Sequence, residues 1–537
     1  MFYSVLFPTE ESAARPRRKT APEAFSDLQL DVIMKRGLQD YQELDLDDVY
    51  YTPVTDMEVI RYRQEILREL EEPSVREALS DIVERFGSLR VFMDGLRERL
   101  EAGSAGAAQP GKAQKARGDI ISILKKKTPD WMDMGRVLEK LGQFADTLAD
   151  FAGSVEKLSF RSAGLRGFAE YGAEFCRSDR FREMDAEARR LRAAFDEVRY
   201  CLWFKANNSA VKVLPFEEQE DYASRIEALF SRFRQGETRD FRKHLEEMPV
   251  SEKLENEILQ LLSRRYPQEF RDLQEFCVKY LDFDDDAVLR FAREARFYFG
   301  WLEMTEHLKE EGLSFCYPTL EEKPKETYAQ DCFDLALALR KPQGVVTNSF
   351  SLTPPEQILI VTGPNQGGKS TFARAFGQVH YLASLGLTVP GKAAALPLCD
   401  GVLTHFEREE KLKDLNGKLR DDLLRLKKLL DAATPQSVFV VNEIFASTTA
   451  WDAQVLSGHL LEAVIQKGGN AVVVTFLEEL ADFGPQTVSM EAEAPELEGG
   501  NASFRILRKK PGGLSYAMRL AGRHALSYED VKRRVGG

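Results

Sequence analysis

Residues 363–370 read Gly-Pro-Asn-Gln-Gly-Gly-Lys-Ser, a complete GxxxxGKS. They stand between an apolar run, QILIVT at 357–362, and a stretch of helical periodicity, STFARAFGQVHYLASLG, that opens at Ser370. This feature constrains the fold more than any other, because a strand–loop–helix of this kind belongs in a parallel sheet covered by helices. Glycines 363, 367 and 368 let the backbone curl so that its N–H groups converge on an anion, and the helix N-terminus adds its positive dipole end. Lys369 is placed to reach the β- and γ-phosphates of a nucleotide, Ser370 to offer its hydroxyl to Mg²⁺, and Thr371 to support the α-phosphate. The expected ATP contacts are therefore Gly363, Pro364, Asn365, Gln366, Gly367, Gly368, Lys369, Ser370 and Thr371.

A second apolar run, SVFVVN at 437–442, ends in Asn442-Glu443. In P-loop ATPases a strand in this place ends in two acidic residues, one organising the metal and one polarising water. Glu443 is the expected catalytic carboxylate, working with Lys369 as general base or water orienter. Asn442 can accept a hydrogen bond from a metal-bound water but brings no charge, so weaker Mg²⁺ binding and slower turnover are expected. Two further runs, NAVVVT (470–475) and ASFRIL (502–507), alternate with helical stretches. Continuous Val/Ile runs of this sort are strands buried on both faces, the mark of an α/β sheet.

Upstream the texture differs. Apolar residues recur at three- and four-residue intervals through 59–70, 82–100, 132–158, 180–205, 217–235, 252–265 and 284–310, with AVKVL (210–214) as the one strand-like interruption. The aromatic-rich FAREARFYFGWLEM (291–304) has helical spacing and reads as core packing. At 537 residues the chain exceeds a single core. The expected organisation is an N-terminal segment (1–54), an elongated helical core/lever region (55–315) and a P-loop α/β domain (316–537). A mobile loop is expected over the Gly/Ala/Pro-rich 102–118.

Composition excludes several classes. No apolar run approaches the ~20 residues that a membrane span requires, and the N-terminus lacks the order of a secretory signal, so a cytoplasmic protein is expected. Six cysteines are scattered without a CxxC pair, which argues against a zinc site or a disulfide framework. The net charge of -13 gives no support to nucleic-acid binding. The basic runs Arg15 to Lys19, Lys125 to Lys127, and Arg189, Arg190 and Arg192 read as solvated surface. His380, His405 and His459 fall in no motif and read as structural.

TGPNQGGKSTFARAFGQVHYLASLGLTVP resembles the P-loop and following helix of the MutS family. The resemblance continues through LPLCDGVLTHF, NEIFASTTAWDAQVLSGHLLEAV, AVVVTFLEEL and the terminal GLSYAMRLAG, with VVTNSFSLTPPEQILIVTG as lead-in. It covers about 315–535, and YRQEILREL resembles the family's core and lever helices more weakly. The resemblance implies an ABC-type ATPase domain, ATP and Mg²⁺ as cofactors, and a homodimer paired through the ATPase domains. It also implies helical arms that close on duplex or branched DNA, in repair or recombination. Val345 and Val346 match the segment beside the adenine, where the family often has an aromatic. Asp422 matches the acidic position of the signature loop and Asp452 the Asp of the loop between sites. Three positions depart from the family pattern: Asn442 replaces an Asp, Phe476 replaces a γ-phosphate-sensing His, and Gly417 or its neighbours replace the signature Ser. Slow hydrolysis, or ATP acting mainly as a switch, follows. About 50 residues precede the helical region, too few for a mismatch-recognition or connector domain, so direct mismatch reading is not expected. The alternatives are an ATP-gated clamp on a ribosome or protein complex, and a weakly hydrolysing nucleotide-switch scaffold.

Overall fold

The computed structural model describes residues 2–37, 46–102, 130–155, 158–204, 211–216, 252–280, 283, 285–322, 324–407, 418–445, 448–493, 503–510, 524–526 and 528–535. Of the expected loop at 102–118, Ala102 ends a helix; 103–118, the stretch 217–235, Lys125 to Lys127 and Gly417 lie outside the described residues. The chain divides into two compact units, each discontinuous in sequence. One comprises 1–76, 160–167 and 293–537; the other comprises 77–159 and 168–292.

The chain opens with four short helices, α1 (Glu10–Ala14), α2 (Glu23–Asp27), α3 (Leu30–Gly37) and α4 (Asp47–Tyr51), followed by α5 (Met57–Leu70) and α6 (Pro73–Ala102). Next come α7 (Trp131–Val155), α8 (Ala163–Arg177), α9 (Asp179–Asp196), the hairpin β1 (Tyr200–Phe204) and β2 (Val211–Pro215), α10 (Glu252–Arg265), α11 (Pro267–Tyr280) and α12 (Asp286–Glu310). In the second unit α7 shows how the pattern works. Asp130 Oδ1 accepts from the amides of Met132 and Asp133 at its start. Met134, Val137, Leu138, Leu141, Phe144, Ala145, Leu148 and Phe151 then form one buried stripe. Helical periodicity carried past Asp196 was misleading: Tyr200–Phe204 is a strand paired antiparallel with Val211–Pro215. Five successive large apolar residues (YCLWF) suit a pleated surface better than a helix with one apolar stripe.

Five arginines of the basic runs form ion pairs. Arg189 meets Asp185 and Asp146, Arg190 meets Asp272, and Arg192 meets Asp146. Arg15 and Arg17 meet Asp56 and Asp48. The aromatic run in α12 is core, with Phe291, Phe297, Tyr298, Phe299 and Trp301 all buried.

The first unit is built on a mixed α/β framework. Its central sheet has the order β10-β11-β12-β7-β13-β14: β7 (Ile358–Thr362), β10 (Gly401–His405), β11 (Ser437–Asn442), β12 (Ala471–Val474), β13 (Thr487–Ala492) and β14 (Ile506–Arg508). It is parallel from β10 to β13, with β14 antiparallel at the edge. Val474 pairs with both Asn442 and Val361, so β11, β12 and β7 end level with one another. A second sheet, β4-β9-β5-β6, joins Thr319–Glu321, Ala393–Pro397, Thr327–Cys332 and Asn348–Leu352; Phe315–Cys316 (β3) pairs with Val389–Pro390 (β8). The remaining helices are α13 (Leu335–Arg340), α14 (Lys369–Ser384), α15 (Lys418–Ala432), α16 (Ala450–Lys467) and α17 (Tyr528–Val535).

Strand alternation sorts the core. Ile358, Ile360, Phe439, Val441, Ala471 and Val473 face α15 and α16, meeting Leu426, Leu429, Leu460, Leu461 and Val464. Residues of the other parity face α14, where a Cβ on Gly377 would come within 3.1 Å of Val440. The N-terminal helices complete this layer. Gln378 Nε2 donates to Leu28 O at 2.9 Å, Tyr381 Oη to Tyr50 O at 2.8 Å, and Thr404 Oγ1 to Asp27 Oδ2 at 2.6 Å. Among the described residues no helix is long and apolar enough to cross a membrane.

Candidate nucleotide site

The level ends of β7, β12 and β11 place two loops side by side. The first, 363–368, turns β7 into α14. Gly363 has φ 120°, and a Cβ there would lie 2.9 Å from the carbonyl oxygen of Ala492 on β13. Only glycine fits that backbone and that gap. Gly368, at φ 91°, is the N-cap of α14, so Lys369, Ser370 and Thr371 form its first turn with their amides unpaid by the helix itself. The turn is tied by Gly367 N donating to Pro364 O at 3.2 Å.

Lys369 is almost fully buried. Its Nζ donates to Gly363 O and Pro364 O, each at 3.0 Å, and to Asn365 Oδ1 at 3.4 Å. Burial pulls its pKa down, with the Glu443 carboxylate pulling the other way. Glu443 Oε1 lies 3.8 Å from Nζ. Glu443 sits at φ 52°, a left-handed conformation uncommon outside glycine, and its amide donates to Val474 O at 3.0 Å. The strained turn swings its side chain out of β11 toward the loop.

A cavity of about 580 Å³ opens over α14's N-terminus. Asn365, Gln366, Gly368, Lys369, Ser370, Thr371 and Glu443 line it, as do Val345 and Val346 from the opposite wall. Of the expected contacts, Gly363, Pro364, Gly367 and Asn442 do not face the cavity. The first three form the underside of the loop. Asn442 is buried at the end of β11, with Oδ1 accepting no hydrogen bond from the protein. A buried amide oxygen without a donor suits a metal-bound water, which is where Asn442 was expected to act. Ser370 and Glu443 would offer the other oxygens, few enough for an ion such as Mg²⁺ that keeps several waters. The residues present fit that ion.

Sequence reasoning missed part of the wall. Phe333, Leu337 and Phe504 also line the cavity. Phe504 arrives from beyond the sheet edge, at φ 54°, secured by Asn348, whose Nδ2 donates to Phe504 O at 3.1 Å and whose Oδ1 accepts from Ile506 N at 2.7 Å. Asp334 ties this wall to the P-loop helix by accepting from Arg374 Nε at 2.8 Å and Gln378 Nε2 at 2.9 Å. The remaining expected positions lie off the cavity. Asp422 pairs with buried His405 across 3.2 Å. Asp452 Oδ2 accepts from Thr449 Oγ1 at 2.8 Å in the cap of α16. Phe476 is 53% exposed. His380 is buried with Nδ1 2.8 Å from Phe376 O.

Residues 359–525 match the family described as MutS domain V. The C-terminal part of the chain is thus similar to the MutS family. It is 32% identical over 193 residues to endonuclease MutS2 of Thermus thermophilus, a match covering 35% of this chain and 25% of that protein. It is 29% identical over 178 residues to DNA mismatch repair protein MutS of Thermus thermophilus (33% and 22% covered). Against the DNA mismatch repair protein MutS of Bacillus subtilis it is 27% identical over 183 residues (33% and 21%). The matches thus span about a quarter of the length of these relatives. MutS family members are ATPases, and the matched segment holds the P-loop and Glu443, which meet at a cavity whose other wall, 332–348, lies before the match.

Proposed function

We propose that this chain is an ATP-binding clamp whose MutS domain binds ATP·Mg²⁺ and hydrolyses it slowly. The observation that carries the reading is the convergence of Lys369 and Glu443, 3.8 Å apart, at the mouth of a cavity built on the N-terminus of α14. In the proposed mechanism the amides of 363–371 and the dipole of α14 hold the phosphates, and Lys369 leaves its loop carbonyls to neutralise charge developing on the γ-phosphoryl oxygens. Glu443 orients the attacking water and takes its proton. Mg²⁺, when bound, supplies charge neutralisation between the phosphates, with Ser370, Asn442 and Glu443 as its neighbours. Val345 and Val346 offer an apolar wall to the base. Asn442 and the exposed Phe476 leave two supports of the γ-phosphate unfilled, and slow turnover follows from that. Two copies pair through their ATPase domains, and the helical arms close on duplex or branched DNA in repair or recombination. The relatives' names, DNA mismatch repair protein and endonuclease MutS2, support the DNA part.

One observation favours a second reading. Arg15, Arg17, Arg189, Arg190 and Arg192 all face carboxylates, and the chain carries a net charge of -13. That surface gives DNA no electrostatic support, and so favours an ATP-gated clamp on a non-DNA partner, a protein complex or ribosome. Steady-state ATP turnover by the purified chain, with and without duplex and branched DNA, separates the readings, with Lys369→Ala and Glu443→Gln as controls. Turnover that rises with DNA and vanishes in both variants supports the DNA clamp. Turnover indifferent to DNA favours the second reading, and nucleotide binding without turnover favours a switch.

A further inference from the structure

Nucleotide phosphates belong at one end of α14; the other end, Ser384 and Leu385, is held by groups the cavity does not touch. Arg63 on α5 is fully buried, and its Nη1 donates to Leu385 O at 2.9 Å while its Nε donates to Leu6 O at 3.1 Å. Its guanidinium lies over the rings of Phe7 and Phe297, 5.1 and 5.5 Å from their centroids. Burial pulls its pKa down to about 10, which leaves it charged at neutral pH. A cation at the carbonyl end of a helix complements the macrodipole whose positive end faces the phosphates. Gly386, at φ 80°, makes the approach possible: a Cβ there would lie 2.9 Å from Arg63 Cβ. Val54 N donates to Ser384 O at 3.0 Å and closes the same end.

Leu6 belongs to a hook, residues 4–7, gathered around one oxygen. Glu294 Oε2 accepts from Ser4 Oγ at 2.6 Å, Val5 N at 2.8 Å and Leu6 N at 3.3 Å. Tyr298 Oη donates to Val5 O at 2.5 Å and Tyr62 Oη to Ser4 O at 2.6 Å. Glu294 and Tyr298 both lie on α12. A second link runs beside the first, with Trp301 Nε1 of α12 donating to Thr388 Oγ1 at 2.8 Å, three residues past Leu385. Glu294, Arg63, Tyr298, Trp301 and Thr388 are all buried. Buried networks that are fully paired switch between discrete arrangements and do not deform smoothly. A 16-residue helix is a stiff strut of roughly 24 Å at 1.5 Å per residue.

We propose that Arg63 is a positioning residue for the nucleotide site: it fastens the carbonyl end of α14 to the hook and, through Glu294, to α12, so that phosphate occupancy at Gly368 to Thr371 is transmitted to residues 4–7 and 293–310. The inference rests on reading 363–371 as the nucleotide site. Both ends of the path lie in the same compact unit. Arg63 holds two carbonyls on separate segments with one planar fork, which a lysine ammonium does not reproduce.

The test is amide hydrogen exchange on the full chain with and without ATPγS·Mg²⁺, with affinity measured in parallel by equilibrium dialysis. Arg63→Lys keeps the charge and loses the fork; Glu294→Gln keeps the shape and loses the carboxylate. In the wild type, nucleotide is expected to slow exchange at 4–7 and 293–310 by about fivefold or more, a typical coupling between sites. Both variants are expected to lose that distant protection and, by the same linkage, to bind nucleotide about fivefold more weakly while remaining folded. A merely structural role would lower the melting temperature and leave the nucleotide-dependent difference in place. Distant protection retained in both variants overturns the proposal, as does a wild type that binds nucleotide without change at those segments. Should Arg63→Lys not fold, Glu294→Gln decides alone. A wild type that binds no more nucleotide than Lys369→Ala removes the nucleotide reading itself, and the relay with it.

Discussion

Asn442 is the residue at which chemistry and sequence pull apart most. Its Oδ1 is buried without a protein donor, and at the proposed Mg²⁺ site it would bring no charge. Replacing a neutral acceptor by a carboxylate strengthens such a hydrogen bond by about 1.4 kcal/mol, roughly tenfold in affinity. Asn442→Asp is therefore expected to raise apparent Mg²⁺ affinity by that factor and to increase turnover. A Mg²⁺ titration of ATP hydrolysis measures both, and an unchanged midpoint would remove Asn442 from the metal's surroundings. Two glycines make a contrasting pair. At Gly363 a Cβ meets backbone, 2.9 Å from Ala492 O, at φ 120°, and backbone strain of this kind costs about 1–3 kcal/mol. Gly363→Ala should weaken nucleotide binding by roughly five- to 150-fold in equilibrium dialysis. At Gly142 a Cβ would lie 1.3 Å from Arg192 Nη2, a far worse number. The obstacle is nonetheless the tip of a flexible side chain whose surface pair with Asp146 contributes about 0–1 kcal/mol. Helix propensity returns about 1 kcal/mol for Gly→Ala. Gly142→Ala should therefore change stability by less than about 1 kcal/mol in a denaturant titration.

Among the elements, α14 carries more than the phosphate cradle. Of its residues Lys369 to Ser384, all but Ser370, Thr371 and Arg374 are buried. His380 stacks on Phe350 and packs at a tilt against Phe376, and burial lowers its pKa to about 4 from an ordinary 6.5. The unfolded chain thus binds a proton that the folded chain refuses between about pH 6.5 and pH 4, so this group's contribution is full above 6.5 and is lost as pH falls. Between pH 7 and pH 5 the loss is about 2 kcal/mol. His380→Phe, which keeps a ring in the aromatic cluster, should flatten the acid limb of the stability profile by that amount in thermal or urea unfolding. An unaltered limb would mean that His380 is protonated in the fold. The strands show what a chain reveals about itself. β7, β11 and β12 were legible because they are buried on both faces and so read as unbroken Ile/Val runs. β13, TVSMEA, is buried on alternate residues only, and its mixed polarity hides it. Lys369 and Glu443 could be placed from spacing alone, whereas Phe504 could not. It reaches the cavity because Asn348 spans two strands to hold it, a tertiary accident that no local pattern announces.

At the scale of the whole molecule, a linear reading from helical arm to ATPase conceals a closure in space: residues 1–76 belong to the same compact unit as the C-terminal part. Nothing local to 1–54 marks this. The short helices there have few turns and weak periodicity, and their apolar side chains find partners some 300 residues away. Phe25 packs edge-on against Tyr381 with ring centroids 5.5 Å apart, and a Cβ at Gly377 would collide with Leu28 at 2.5 Å. Phe25, Leu28, Ile33 and Tyr50 are each at most 3% exposed. Burying a side chain of this size stabilises by about 1.5–3 kcal/mol. Four of them contribute about 6 kcal/mol or more, comparable with the 5–15 kcal/mol that holds a typical domain together. A fragment of residues 316–537, cut where the sequence texture changes, would leave Gly377, Gln378 and Tyr381 on α14 without this cover. The expected outcome is a fragment that aggregates or binds a hydrophobic dye and shows no cooperative thermal transition, while the full chain melts cooperatively. A fragment that stays monomeric and melts with a sharp transition would show that the N-terminal helices decorate the ATPase fold and do not complete it. The P-loop would then be expected to bind nucleotide without Arg63, which ties the fate of the relay to the same preparation.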